Sequence, residues 1–321
     1  MSASILITGG TAGLGYHCAV ALARQYPNHR VIVASRSDPS IKYPLGQANI
    51  QYMRLDLSSL SQIRLFTQKW AEGKNPPITH LLFNAGLQLP HEVSYTVDGY
   101  EKTFAVNHIG HALLFSLLIP HLAQTARIVI TASGTHDPAQ KTGMPDATYT
   151  TAEGLAHPTV QSKNNPGRQR YTTSKLANII WAYALDRRFA ELRNKDGNQG
   201  RKWTVVAFDP GLVPGTGLAR DAGAAMRFMW TRVLPRALPL LRALVSPNIH
   251  SAEESGRALA YLASDSEKLG ASGVYFEGKK EIKSSEESYD QTKQEDLWEW
   301  TVKNVAANPE EVVQFSLKNL L

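Results

Sequence analysis

The chain has 321 residues, 43% of them hydrophobic and 19% charged, with a formal charge of +6 and a pI near 9.3. These values fit one globular domain with a large core, and the scattered basic residues do not point to nucleic acid; a mild positive excess suits a phosphate-rich ligand. Cys18 is the single cysteine, which excludes an intrachain disulfide and points to a reducing, cytoplasmic location, and neither a secretory leader nor an uncharged apolar window of about 18 residues is read.

Ser4-Ile5-Leu6-Ile7-Thr8 reads as a buried strand, and a helix follows over about Gly13 to Tyr26. The joint between them is Thr8-Gly9-Gly10-Thr11-Ala12-Gly13-Leu14-Gly15. Glycines there allow a tight turn and close approach of the backbone to a pyrophosphate, and the helix N-terminus aims free N–H groups at it. Val31 to Ala34 is a second strand, ending in Ser35-Arg36. An acidic residue at that place would bind a ribose 2′-hydroxyl. A hydroxyl and a guanidinium suit a 2′-phosphate instead, so NADP(H) is expected, with Asp38 as the nearest acid.

Ile50 to Leu55 is a third strand, followed by Asp56-Leu57, where an adenine edge would lie, and by a serine-capped amphipathic helix over Ser58 to Trp70. His80 to Phe83 is a fourth, and Asn84-Ala85-Gly86 after it is small enough to pass close to a ribose. A long helix is predicted around Asn107 to Leu122, and a fifth strand over Arg127 to Thr131. Residues 137–170, rich in Pro, Gly, Thr and Asn, read as a long excursion. Tyr171 to Leu192 reads as a helix, Thr204 to Phe208 as a sixth strand, Glu253 to Ala263 as a helix and Gly273 to Phe276 as a last strand; 277–295 reads as a charged, solvated segment.

Continuously apolar strands alternating with helices predict an α/β fold: a Rossmann-type doubly wound parallel sheet of about seven strands, helices on both faces, ligands beyond the strands' carboxyl ends. A single domain is expected over 1–321, with a lid at about 212–250 and a charged extension at about 277–321.

Tyr171-Thr172-Thr173-Ser174-Lys175 puts a phenol and an ammonium on one helix face. A nearby ammonium favours the phenolate, so such a phenol passes a proton more readily at neutral pH. The spacing alone also describes an exposed helical pair. His136 follows Ser133 closely and is either a pocket residue or a loop hydrogen-bonder. Asn178 reads as packing against a loop. His108 and His111 lack a third ligand, so no metal site is expected.

Taken together these segments resemble the short-chain dehydrogenase/reductase family over about residues 4 to 276. Within it, Val106-Asn107-His108-Ile109-Gly110-His111, Ser174-Lys175-Leu176-Ala177-Asn178 and Pro210-Gly211-Leu212-Val213-Pro214-Gly215-Thr216 are similar to the retinol dehydrogenase and protochlorophyllide reductase branch. The resemblance implies a catalytic tetrad of Asn107, Ser133, Tyr171 and Lys175. It implies that Tyr171 exchanges the proton, Ser133 steadies the substrate oxygen, Lys175 also binds the nicotinamide ribose and Asn107 holds a water linking Lys175 to solvent. It places Gly9, Thr11, Gly13, Leu14, Gly15, Ser35, Arg36, Asp56, Leu57, Asn84, Ala85, Gly86, Tyr171, Lys175, Pro210, Gly211, Val213 and Thr216 at the cofactor, Thr216 at its amide. The chain departs from the pattern in the long gap from Ser133 to Tyr171 and in having no cysteine beyond Cys18.

Residues 217–247 carry Met226, Phe228, Met229, Trp230 and several leucines between Arg227, Arg232, Arg236 and Arg242. As a lid, this segment suits a small but bulky hydrophobic substrate. A homo-oligomer or core contact is the other main use of such a face, and reversible attachment to a membrane surface a less favoured one. The function expected is NADPH-dependent hydride transfer between the nicotinamide and a carbonyl or alcohol of a bulky apolar substrate, the same site also serving an alcohol dehydrogenase; reduction of an activated C=C bond is the alternative. The competing class is a non-catalytic NADP(H)-binding sensor or scaffold, which the loss of Tyr171 or Lys175 would mark; both are present.

Overall fold

A strand apolar on both faces is stable only when both faces are covered. The computed structural model, which describes residues 1–38, 47–196, 200–264 and 270–317, provides that cover. One sheet holds β1 (Ser4–Thr8), β2 (Arg30–Ser35), β3 (Ile50–Arg54), β4 (Ile78–Phe83), β5 (Leu122–Thr131), β6 (Lys202–Asp209), β7 (Val274–Glu277) and β8 (Lys280–Ile282), in the order β3-β2-β1-β4-β5-β6-β7-β8. All neighbours run parallel except β7 and β8. The order reverses between β1 and β4, which opens a crevice at their carboxyl ends.

The helices are α1 (Gly13–Gln25), α2 (Leu60–Glu72), α3 (Lys102–Phe104), α4 (Gly110–Leu118), α5 (Ala152–Ala156) and α6 (Gly167–Asp196). Later in the chain come α7 (Ala224–Phe228), α8 (Leu238–Leu244), α9 (Ala252–Ser264), α10 (Gln291–Val305) and α11 (Pro309–Ser316). On one face Ile5, Ile7, Val31 and Val33 pack against Leu22 of α1 and Leu259 of α9. On the other, Leu6, Ile32 and Phe83 pack against Phe66 of α2, Leu113 of α4 and Ile180 of α6. Helices α1 and α9 touch at Gly256, where a Cβ would stand 2.5 Å from the Leu14 carbonyl oxygen.

The sequence predicts about seven strands and a solvated segment at 277–295; the sheet has eight strands. Gly278, at φ +58, turns the chain so that Lys280–Ile282 pairs antiparallel with β7. Beyond the hairpin, Leu297, Trp298 and Trp300 of α10 are buried in the same core as α6, and the Arg188 guanidinium lies 3.8 Å from the centre of the Trp298 ring. The charged extension therefore completes the core, although its residues 318–321 lie outside the described ones.

The helix predicted at Asn107–Leu122 starts earlier and is broken. It runs as α3, a π-helical turn over Ala105–Ile109, α4 and a 3-10 turn over Ile119–His121, and Leu122 already belongs to β5. By length and composition Lys102–His121 is apolar enough to cross a bilayer, contrary to the sequence expectation, but 83% of its most apolar 18-residue window is buried inside the protein. The predicted lid is a chain of short helices, α7 and α8 with turns between them, divided where Pro235 and Pro239 fall.

Candidate functional site

The glycine turn sits at the crevice. Gly9 and Gly13 hold φ of +67 and +55, which glycine adopts at little cost. A Cβ on Gly15 would stand 2.4 Å from the Gly9 carbonyl oxygen, so no larger residue fits. Ala12 opens α1 without a side-chain cap, and the first turn carries no acid. The first N–H groups of α1 thus lack a side-chain acceptor, the condition that suits a phosphate. Leu14 lies on that first turn, packed against the core.

The turn is braced from β4. Thr8 Oγ1 accepts from the backbone N–H groups of Asn84 and Ala85, each at 3.0 Å, and lies 2.9 Å from His111 Nε2. His111 Nδ1, 3.1 Å from the Asn107 carbonyl oxygen, is therefore the nitrogen that carries the proton, and burial pushes this imidazole down to about 3, so it stays neutral. Asn84 Nδ2 donates to the carbonyls of Thr8 and Gly9. From the sequence Thr8 is only the start of the glycine joint and His111 only a histidine lacking a third metal ligand; their pairing across 103 residues leaves no sequence signal.

Ser35 and Arg36 stand at the end of β2. Ser35 Oγ accepts from Thr11 Oγ1 at 3.0 Å and donates to the Ser37 carbonyl, while Arg36 is exposed. Asp56 Oδ1 accepts from the backbone and hydroxyl of Ser58, forming the turn into α2, and the cap of α2 is Ser59. Leu57 is buried, and its carbonyl would lie 2.6 Å from a Cβ on Gly110.

Tyr171, Lys175, Ser133 and Asn107 converge beyond β4 and β5. The Tyr171 phenol faces Ser133, whose hydroxyl favours the phenolate. Ser133 Oγ accepts from the amide and hydroxyl of Thr135, which leaves its own proton free to be donated toward the site. Lys175 Nζ donates to the Thr131 carbonyl at 3.0 Å and lies 5.7 Å from the centre of the Tyr171 ring. Asn178 Nδ2 donates to the same carbonyl. A Cβ on Gly86 would meet Asn107 Oδ1 at 3.3 Å and Lys175 Nζ at 3.5 Å, so the backbone of Asn84-Ala85-Gly86 passes directly over both. Asn107 lies in the π-helical turn, where its amide accepts from the Leu87 N–H and donates to the Leu87 carbonyl and to Ser174 Oγ. Both of its donor hydrogens are engaged, and only Oδ1 retains acceptor capacity for a water.

The electrostatics differ from the sequence expectation. Burial, and next the charge of Asp209, hold the Tyr171 phenol well above its usual range, with Ser133 pulling the other way. Lys175 is directed at the Thr131 carbonyl. Burial lowers Lys175 itself to about 8, against an upward pull from Asp209. Asp209 is buried at the end of β6, accepting from the Gly211 N–H at 3.0 Å and from Asn248 Nδ2 at 2.9 Å. Its part in the site went unread because an acid before Pro-Gly also reads as a plain turn residue.

The stretch after β6 crosses the crevice. Gly211 takes φ +73, the Pro210 carbonyl accepts from Ser255 Oγ, and the Val213 carbonyl accepts from Thr216 Oγ1. A Cβ on Gly13 would lie 3.4 Å from Thr216 Cγ2, which sets Thr216 beside the glycine turn. Trp230 Nε1 donates to the Thr216 carbonyl and an Arg220 guanidinium nitrogen lies 3.4 Å from the Gly86 carbonyl, tying the lid to both walls.

His136 lies behind the site. Its Nδ1 donates to the Ser133 carbonyl at 2.7 Å and its Nε2 accepts from the Ser285 N–H at 3.0 Å, so it links Ser133 to the carboxyl-terminal extension. His136→Ala is expected to cost about 1–3 kcal/mol of stability by orphaning the Ser285 N–H. Urea denaturation measures this; an unchanged midpoint would show that the link carries no load. His108, buried against Phe104 and Trp181, and His111 belong to no group of three metal-ligating side chains among the described residues.

Residues 3–152 match the family model described as short chain dehydrogenase, and residues 219–313 match one described as the AcuH dehydrogenase domain. The chain is 30% identical over 318 residues to the short-chain dehydrogenase TIC 32 B, chloroplastic, of Brassica napus, covering 95% of this chain and 89% of that one. It is 29% identical to a chloroplastic protochlorophyllide reductase of Chlamydomonas reinhardtii (94% and 77% covered) and 29% identical to the polyprenol dehydrogenase of Homo sapiens (91% and 82%). Among solved structures, an uncharacterized protein from Mycobacterium Paratuberculosis superposes with a TM-score of 0.67 at 23% identity, covering 94% of this chain and 93% of that chain. The NADPH-bound carbonyl reductase from chicken fatty liver superposes at 0.57 and 18% identity, covering 87% and 98%. These two establish a shared fold. The chloroplastic relatives point away from the plain cytoplasmic location that a lone cysteine and an unread leader suggest, and correct it.

Proposed function

The chain is an oxidoreductase of the short-chain dehydrogenase/reductase family, on its retinol dehydrogenase and protochlorophyllide reductase side, and from this we propose that it is an NADPH-dependent reductase of a carbonyl on a bulky apolar substrate. The observation that carries the reading is the convergence of Tyr171, Ser133 and Lys175 beside a glycine turn whose helix N-terminus lacks a side-chain cap. When bound, a nicotinamide supplies the hydride. Tyr171, held protonated at neutral pH, donates to the substrate oxygen. Ser133 donates a second hydrogen bond to the developing alkoxide. Lys175 keeps two protons beyond the one given to Thr131, for a ribose hydroxyl. Asn107 clamps Leu87 against α6, and its Oδ1 is left to receive a water.

The relatives named protochlorophyllide reductase support a second reading, reduction of an activated C=C bond by the same donor. NADPH oxidation with ketones, aldehydes, quinones and enones separates the two. Bound cofactor with no turnover on any of them would favour a non-catalytic sensor. We read Arg36, exposed at the end of β2, as the partner of a 2′-phosphate, so Arg36→Ala should weaken NADPH binding about ten- to a hundredfold and leave NADH binding nearly unchanged. Tighter NADH than NADPH binding in the unmodified protein would sink the preference.

A further inference from the structure

Between Asp221 and Glu253 the chain has four arginines and no acidic residue. Neither α7, nor the turns after it, nor α8 contains a buried residue. The large apolar side chains stand in the open: Phe228 is 61% exposed, Leu240 60%, Leu244 75% and Val245 68%, with Met229 and Val233 also exposed. Single exposed apolar residues are ordinary, but this number in one short segment needs a cover. Arg242 is held by Glu254 and the Ile249 carbonyl, whereas Arg227, Arg232 and Arg236 are exposed on the same segment.

Aromatic and leucine side chains among arginines, without a carboxylate, match the headgroup boundary of an anionic bilayer: apolar groups enter the acyl margin and guanidiniums meet phosphates. A second copy of the chain fits less well. A two-fold contact lays the patch on itself, and the segment has no acid to set against its own arginines. We propose that α7 through α8 is a docking surface for an anionic lipid bilayer. Because Trp230 and Arg220 tie this segment to Thr216 and Gly86, docking also brings the mouth of the crevice to the bilayer. The docking surface stands independently of which bond the site reduces.

Co-sedimentation of the full chain with vesicles of phosphatidylcholine containing a quarter phosphatidylglycerol tests it, with pure phosphatidylcholine as the reference. Binding to the anionic vesicles is expected, weakening with salt and falling sharply on the neutral ones. Leu240→Glu with Leu244→Glu should abolish it. Arg227→Glu, Arg232→Glu and Arg236→Glu together should lower it about a hundredfold. All five side chains are exposed, so folding, read by circular dichroism and NADPH binding, should be unaffected. No binding to anionic vesicles, or binding indifferent to both sets, would overturn the proposal. So would a dimer in solution that the leucine pair abolishes without any vesicle binding, which would assign the patch to a second copy.

Discussion

Tyr171→Phe is expected to lower the rate of carbonyl reduction by about a thousandfold while NADPH affinity changes by less than about threefold. The ring is buried, and phenylalanine fills the same space, so packing around the site is preserved. What is lost is the one acid whose proton is held at neutral pH next to Ser133. The remaining groups, Ser133 and Lys175, still orient the substrate oxygen and the cofactor, so a residual rate above the uncatalysed one should persist. Stopped-flow measurement of NADPH oxidation, with cofactor affinity taken from fluorescence titration, checks both halves. Turnover that survives the substitution would remove the phenol from the mechanism, whatever substrate is used.

The cofactor end was legible because its demands fall on the backbone. Gly9 and Gly13 need positive φ and Gly15 needs the absence of a Cβ, and only one residue type meets either need. The buried strands were legible because each is a nearly unbroken apolar run. The carboxyl-terminal hairpin was not, because its lysines and glutamates mark an edge strand as readily as a solvated loop. Helix α10 hid its buried Leu297, Trp298 and Trp300 among charged neighbours, one of which, Glu295, pairs with Arg187 and Arg188 of α6. The π-helical turn at Asn107 left no sequence signal, since it is held by bonds to Leu87 and Ser174, distant in the chain. The charge balance at Tyr171 was beyond the sequence for the same reason: burial first and then Asp209 set it.

Lys175→Met should abolish most turnover and yet stabilise the protein. Burial lowers the Lys175 ammonium from its ordinary 10.5 to about 8. Below pH 8 both the folded and unfolded chains carry this proton, and the cost of burying the charge is present in full. As pH rises from about 8 to 10.5 the folded chain releases the proton first, so the cost fades and the stability of the unmodified protein rises through that window. The full cost corresponds to about 3 kcal/mol, and loss of the bond to the Thr131 carbonyl offsets about 1 of it. The variant should therefore be about 2 kcal/mol more stable than the parent at pH 7, and this gain should be gone at pH 10.5. Urea denaturation at the two pH values measures it, and a variant less stable at pH 7 would show that the ammonium is not a buried burden. The same titration sets the activity: kcat/KM for reduction should fall as pH rises past about 8, when the ammonium is lost. Asp209→Asn removes the carboxylate that favours the ammonium, so it should move this limb to lower pH. A limb that stays in place would mean that another group governs the profile.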